Sequence, residues 1–261
     1  MDKHAAMFDT GAATHVGKVR RRNEDSYLVH PDAGIWAVAD GMGGHEAGDI
    51  ASQLIVEALQ SIRGTTSATD LLDTCEERIG AANVRLKAMG RERGAIVGAT
   101  LALLLAFDDY YACLWAGDSR IYIVRDNMIA QLSRDHTELT DLLVKGVVGP
   151  EEARTWASPN ALTKAIGGSE DLDLEITSGP MVRGDVFVIC SDGLTRHVTD
   201  QEILHHVSNG SSQQACERLV ALTLERGATD NVTLIVVRFK LGSMRDVAPA
   251  GRAGHARGGT P

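Results

Sequence analysis

Ile35-Trp36-Ala37-Val38-Ala39-Asp40-Gly41 is a run of five apolar residues that stops on an acid and a glycine. A short unbroken apolar run of this kind reads as a strand buried on both faces. The design recurs further along. Val186-Phe187-Val188-Ile189-Cys190-Ser191 runs into Asp192-Gly193, and Thr229-Asp230-Asn231 precedes Val232-Thr233-Leu234-Ile235-Val236-Val237. Further strands are expected at 10–16, 26–29, 98–107, 110–116, 120–124, 128–132 and 172–177, with the last ones at 185–190 and 232–240. Asp108-Asp109 and Asp126-Asn127 are hairpin connections in composition, and strands joined so closely must be antiparallel.

Between the strands lie helical patterns. In 46–62 the apolar residues Ile50, Leu54, Ile55, Ala58, Leu59 and Ile62 recur every three or four positions, so one face is buried. A second helix over 70–89 buries Leu71, Leu72, Cys75, Ile79, Ala82 and Leu86, and a third covers 213–226. Strands in this number form two stacked sheets, and the helices must cover apolar surface. The expectation is an α+β fold, a central antiparallel β-sandwich flanked by helices on both outer faces. Residues 1–240 read as one domain. Gly146 and Gly149-Pro150 break the segment 137–160 into short helical pieces. After Lys240 the chain turns rich in Gly, Ala, Arg and Pro without periodicity, so 241–261 is expected to be a disordered tail.

Charge and composition exclude several functions. The net charge of −9 argues against a general nucleic-acid binder. The tail carries +2, so the rest is more acidic still. Cys75, Cys113, Cys190 and Cys216 are scattered without a C-x-x-C pair, against zinc or thioredoxin-type chemistry. The apolar stretch from 99 to 107 is far short of the ~20 residues of a membrane helix, and the start of the chain is polar. A cytoplasmic protein with reduced, buried thiols is expected, with no membrane partner.

The acids carry the chemistry. An Asp-Gly after a strand is usually a turn. Here Asp40 is followed by Gly41-Met42-Gly43-Gly44-His45, glycines that let backbone approach a ligand. Asp192-Gly193, Asp230-Asn231 and Glu24-Asp25 repeat the arrangement, and such oxygen donors suit Mg²⁺ or Mn²⁺. Arg20 fits a phosphate clamp through its planar fork. His45 reads either as a general acid or as an ordinary helix-start residue. Cys190 reads as core packing, because nothing beside it would lower its pKa.

These residues resemble a known family. Gly17-x-x-Arg20-x-x-Asn23-Glu24-Asp25, Val38-Ala39-Asp40-Gly41-Met42-Gly43-Gly44-His45, Gly117-Asp118-Ser119, Ser191-Asp192-Gly193-Leu194 and Asp230-Asn231-Val232-Thr233 stand in the order found in metal-dependent serine/threonine protein phosphatases of type 2C, the compact bacterial kind. The resemblance covers roughly 10–240. It implies hydrolysis of phosphoserine or phosphothreonine in proteins, reversing a Ser/Thr kinase, at a centre of two Mn²⁺ or Mg²⁺ ions. Asp40 would bridge both ions, Asp192 and Asp230 would ligate one, and the Gly41 carbonyl the other. Glu24 and Asp25 would act through water, and Arg20 would bind the phosphate. The segment 137–160 would be a flap beside the site. Met42 stands where eukaryotic relatives have a proposed general acid, a role that passes to His45. Relatives often carry an acid at the position of Arg196, which with Asp118 holds a third, weaker ion; Arg196 is expected to weaken that site. The expected partners are phosphorylated proteins, including a kinase and its substrates, met by a monomer. The alternative is a weakly active relative serving as a phosphoprotein-binding module.

Overall fold

The computed structural model describes residues 7–43, 47–158 and 160–240; His45 and the 241–261 tail lie outside the described residues. One antiparallel sheet contains β1 (Phe8–His15), β7 (Arg120–Arg125), β8 (Met128–Gln131), β10 (Val186–Cys190) and β11 (Val232–Phe239), in the order β1-β11-β10-β7-β8. The other contains β2 (Asp25–His30), β3 (Ile35–Met42), β5 (Leu101–Phe107), β6 (Tyr110–Ala116) and β9 (Glu175–Pro180), in the order β2-β3-β5-β6-β9, with β4 (Gly98–Ala99) also on β3. Helices α1 (Ala47–Gln60) and α2 (Ala68–Arg93) cover the second sheet. The pieces α3 (Glu138–Val144) and α4 (Pro150–Ala153) follow β8. Helices α5 (Asp192–Thr195), α6 (Asp200–Val207) and α7 (Ser212–Glu225) cover the first sheet. The layers run helix, sheet, sheet, helix, as the sequence implies.

Alternation explains why the central strands are apolar throughout. On β3, Trp36 and Val38 enter the space between the sheets, while Ile35, Ala37 and Ala39 face α1 and α2. On β11, Ile235, Val237 and Phe239 point inward, while Val232, Leu234 and Val236 meet the helices. Successive strand side chains leave opposite faces, so a strand with both faces covered needs no polar position. Burying each large side chain is worth about 1.5–3 kcal/mol. The Asp126-Asn127 hairpin has positive φ at both residues (51° and 58°), as a two-residue turn requires.

Some sequence expectations shift. The strand expected at 98–107 keeps one register, Gly41↔Ala99 and Val38↔Ala102, but breaks at Thr100. There the Thr100 hydroxyl accepts the Asp40 N–H at 3.0 Å, a side chain competing with the ladder. The strand expected at 172–177 begins instead at Glu175, because Leu172 and Leu174 turn into the core under α2. Ile50, assigned to the buried face of α1, is 40% exposed. Helix α6 was not anticipated, although Thr199 and Glu202 form the reciprocal capping box that marks its start. The four cysteines are free and buried; burial pushes the Cys190 thiol up to about 12, which removes it as a nucleophile. No helix among the described residues is long and apolar enough to cross a membrane.

Candidate functional site

Five carboxylates arrive from five separate segments. Asp25 opens β2 and Asp40 stands directly opposite it near the end of β3. Asp118 sits in the turn between β6 and β7, Asp192 opens α5, and Asp230 precedes β11. A cleft of about 350 Å³ is lined by Asp40, Asp118, Asp192 and Asp230, with Glu24, Gly41 and Arg20 also on its wall. Asp25 is buried beside Asp40, which lines the cleft.

Tertiary hydrogen bonds fix these positions. Ser191 Oγ donates to Asp25 Oδ2 at 2.8 Å and accepts the Thr233 N–H at 3.0 Å, tying β2 to the β10–β11 pair. Asn231 Nδ2 donates to the Val16 and Arg22 carbonyls at 2.9 and 2.8 Å, and Asn231 Oδ1 accepts the Glu24 N–H at 2.8 Å. The loop carrying Arg20 and Glu24 is thereby stitched to the residue after Asp230. These positioning roles of Ser191, Asn231 and Thr100 were missed at the level of sequence. Gly41 admits α1 to the site: a β-carbon there would overlap the Gly48 carbonyl.

Electrostatically the cluster is strained. Asp40 is held well above the ordinary carboxylate range by withdrawal of water, then by the charges of Asp25, Asp192, Asp118 and Asp230. Burial, with Asp192 and Asp230 adding, pushes Asp25 up to about 7 against the Thr233 and Ser191 hydrogen bonds. Burial also raises Asp118 to about 7, Asp192 and Asp135 adding and Arg196 opposing. Asp192 is raised by burial, which outweighs Arg196. Glu24 is raised by burial and then by Asp49; its carboxylate lies against Gly48 at the edge of α1 rather than among the five.

The donor set fits a hard divalent cation. Asp25 Oδ1 and Asp192 Oδ1 are buried with no hydrogen-bond partner, and a charged oxygen left so is costly unless a cation meets it. As the side chains stand, no three of the described His, Cys, Asp or Glu residues are closed into a coordination shell. Guanidinium groups engage the acids instead. Arg20 Nη2 lies 2.8 Å from Asp230 Oδ2, and Arg196 Nη1 reaches the same oxygen at 3.0 Å while its Nη2 pairs with Asp192 Oδ2. Arg196 thus spans two of the expected ligands and also lowers the field at Asp118. Partly exposed ion pairs are worth roughly 0.2–1 kcal/mol each, so Arg196→Gln is expected to tighten Mn²⁺ binding about tenfold in calorimetric titration. An unchanged affinity would mean that Arg196 leaves the acids without cost.

The family model for protein phosphatase 2C matches residues 14–231. The chain belongs to the protein phosphatase 2C family. It is similar to the serine/threonine protein phosphatase PstP of Mycobacterium tuberculosis, 34% identical over 236 residues, covering 90% of this chain and 44% of PstP. The chain therefore spans less than half the length of that relative. Among solved structures, PppA, described as a key regulatory component of the type VI secretion system (T6SS) in Pseudomonas aeruginosa, superposes with a TM-score of 0.81 at 39% identity, covering 89% of this chain and 97% of PppA. The catalytic domain of PstP in complex with 2 manganese ions gives 0.80 at 32% identity, covering 89% of this chain and 98% of that domain. All the motifs of the type 2C resemblance fall within the described residues except Gly44 and His45.

Proposed function

We propose that this chain is a metal-dependent protein phosphatase that hydrolyses phosphoserine and phosphothreonine. The observation that carries the reading is the convergence of Asp40, Asp118, Asp192 and Asp230 on one cleft with Arg20 at its wall and Asp25 buried opposite Asp40, two of the five having orphaned buried oxygens. Asp40, Asp192, Asp230 and the Gly41 carbonyl are the residues to hold two Mn²⁺ or Mg²⁺ ions, a view supported by the two manganese ions of the PstP domain. Such ions would supply Lewis acidity to the phosphoryl group and would lower the pKa of an attacking water.

The protein's own residues do the rest. Arg20 exchanges Asp230 for two phosphate oxygens, which its planar fork grips together. Asp25 and Glu24, raised above the usual carboxylate range, accept hydrogen bonds from water and orient it toward phosphorus. Asp118 and Arg196 set the charge on the far wall. His45, outside the described residues, is the candidate donor of the leaving-group proton. The segment 137–160 acts as a flap, and 1–240 is one catalytic domain. The substrates are phosphoproteins, a Ser/Thr kinase and its targets among them, met in the cytoplasm by a monomer.

Phosphate release from a phosphothreonine peptide tests the reading. Release with Mn²⁺ that stops on chelation is the expected result. Release that survives the chelator rejects the metal centre, and no release with Mn²⁺ bound makes the chain a binding module.

A further inference from the structure

A groove of about 780 Å³ shares Met42, Gly43, Asn160 and Leu162 with the carboxylate cleft. A phosphoryl group needs only the smaller cleft, and the groove adjoining it offers a path for the chain carrying that group. Its character is uneven. Ile96, before β4, is 65% exposed, and the half-buried Leu162 and Leu172 stand on the same groove wall as Met42. Isolated exposed apolar residues are ordinary; these four line one cavity.

The charges on that lining are also asymmetric. Lys164 is its basic side chain among the described residues, and its ammonium is already held by Asp173 at 2.7 Å and Glu175 at 3.6 Å. Asp141, on α3, has no ion-pair partner among the described residues. The net offering is an apolar wall beside an uncompensated carboxylate.

We propose that this groove binds the substrate segment next to the phosphorylated residue and selects an apolar side chain accompanied by a lysine or arginine. The inference rests on the phosphatase reading and adds its substrate class. The apolar side chain packs on Ile96 and Leu172, and the cation meets Asp141. Because Ile96 is exposed and does not line the carboxylate cleft, altering it leaves the reaction centre in place.

Two phosphothreonine peptides, one flanked by Leu and Arg and the other by Gly and Ser, are compared with p-nitrophenyl phosphate, all with Mn²⁺. The wild type is expected to favour the Leu–Arg peptide in kcat/KM by at least about tenfold, the scale on which one apolar contact discriminates. Ile96→Asp should remove most of that preference with p-nitrophenyl phosphate hydrolysed at the wild-type rate, and Asp141→Asn, on the flap, should remove part of it. Equal kcat/KM on the two peptides overturns the proposal, as does an equal loss on p-nitrophenyl phosphate in both variants. Preference that disappears when 241–261 is deleted assigns the groove to the chain's own tail and also overturns it. Failure on all three substrates would reject the phosphatase reading itself.

Discussion

Asp40→Asn is expected to lower Mn²⁺-dependent phosphate release by about 10³-fold or more, equivalent to at least about 4 kcal/mol of transition-state stabilisation, while making the metal-free protein more stable at neutral pH. The two effects have one cause. Asp40 faces Asp25, Asp192, Asp118 and Asp230, so its charge is favourable only when cations are present. The amide keeps the shape of the carboxylate, and the bonds to Thr100 on either side of the Asp40 backbone are untouched.

The sign of the pH dependence follows from the same carboxylates. Burial pushes Asp25 and Asp118 up to about 7 in the folded protein against an ordinary value of 3.8, and Asp40 is raised too, by burial first and then by its acidic neighbours. The folded state then holds protons that the unfolded chain has released. Stability falls with rising pH wherever the folded state binds more protons, here from about 4 to past 7. Metal-free wild type should therefore melt progressively lower between pH 5 and 8, Asp40→Asn should flatten that slope, and Mn²⁺ should raise the wild-type midpoint by binding the folded state alone. Thermal melts with chelator across this range are the measurement. A variant that melts below the wild type at every pH would show that Asp40 is a structural acceptor and not one member of a repelling set.

How much of this was legible depends on the range of the interaction. Asp40, Asp192 and Asp230 stand at strand ends, and strand ends are visible as breaks in apolar runs. That is why the acids were found and why their convergence could be expected once the sheets were assigned. Asp25 lies opposite Asp40 only because β2 and β3 pair in one register, which the turn between them decides. Ser191 and Asn231 act across 166 and 207 or more positions, and no local pattern marks a hydroxyl or an amide for such a bond. Arg196 was singled out for a missing acid, with a weakened third site as the expectation. The structure adds that its guanidinium spans Asp192 and Asp230, which only the folded geometry of α5 and the β11 entrance could reveal. Helix α6 is a different matter, because its start signal, Thr199-x-x-Glu202, is a local pattern that the sequence carries.

Gly193→Ala is expected to destabilise the fold by at least about 3 kcal/mol and to take the metal site with it. A β-carbon at Gly193 would overlap the Asn231 carbonyl oxygen and crowd Val232 Cα. Backbone atoms cannot rotate away as a side chain can, so the clash exceeds the 1–3 kcal/mol typical of overpacking. That approach is also what brings Asp192 to Asp230, and separating the segments opens the pair that Arg196 spans. Gly80→Ala is the opposite case. Gly80 lies inside α2, nothing is within 4 Å of its would-be β-carbon, and the added methyl should stabilise by about 0.5–1 kcal/mol through helix propensity. For a chain of this size 1 kcal/mol moves the midpoint by about 2–4 °C. Gly193→Ala should thus melt at least about 6 °C lower and Gly80→Ala slightly higher, with Mn²⁺ binding lost in the first and kept in the second. A Gly193→Ala protein of wild-type midpoint and metal affinity would mean that α5 and the β11 entrance can part without consequence, and that the Asp192–Asp230 pairing is not set by this backbone contact.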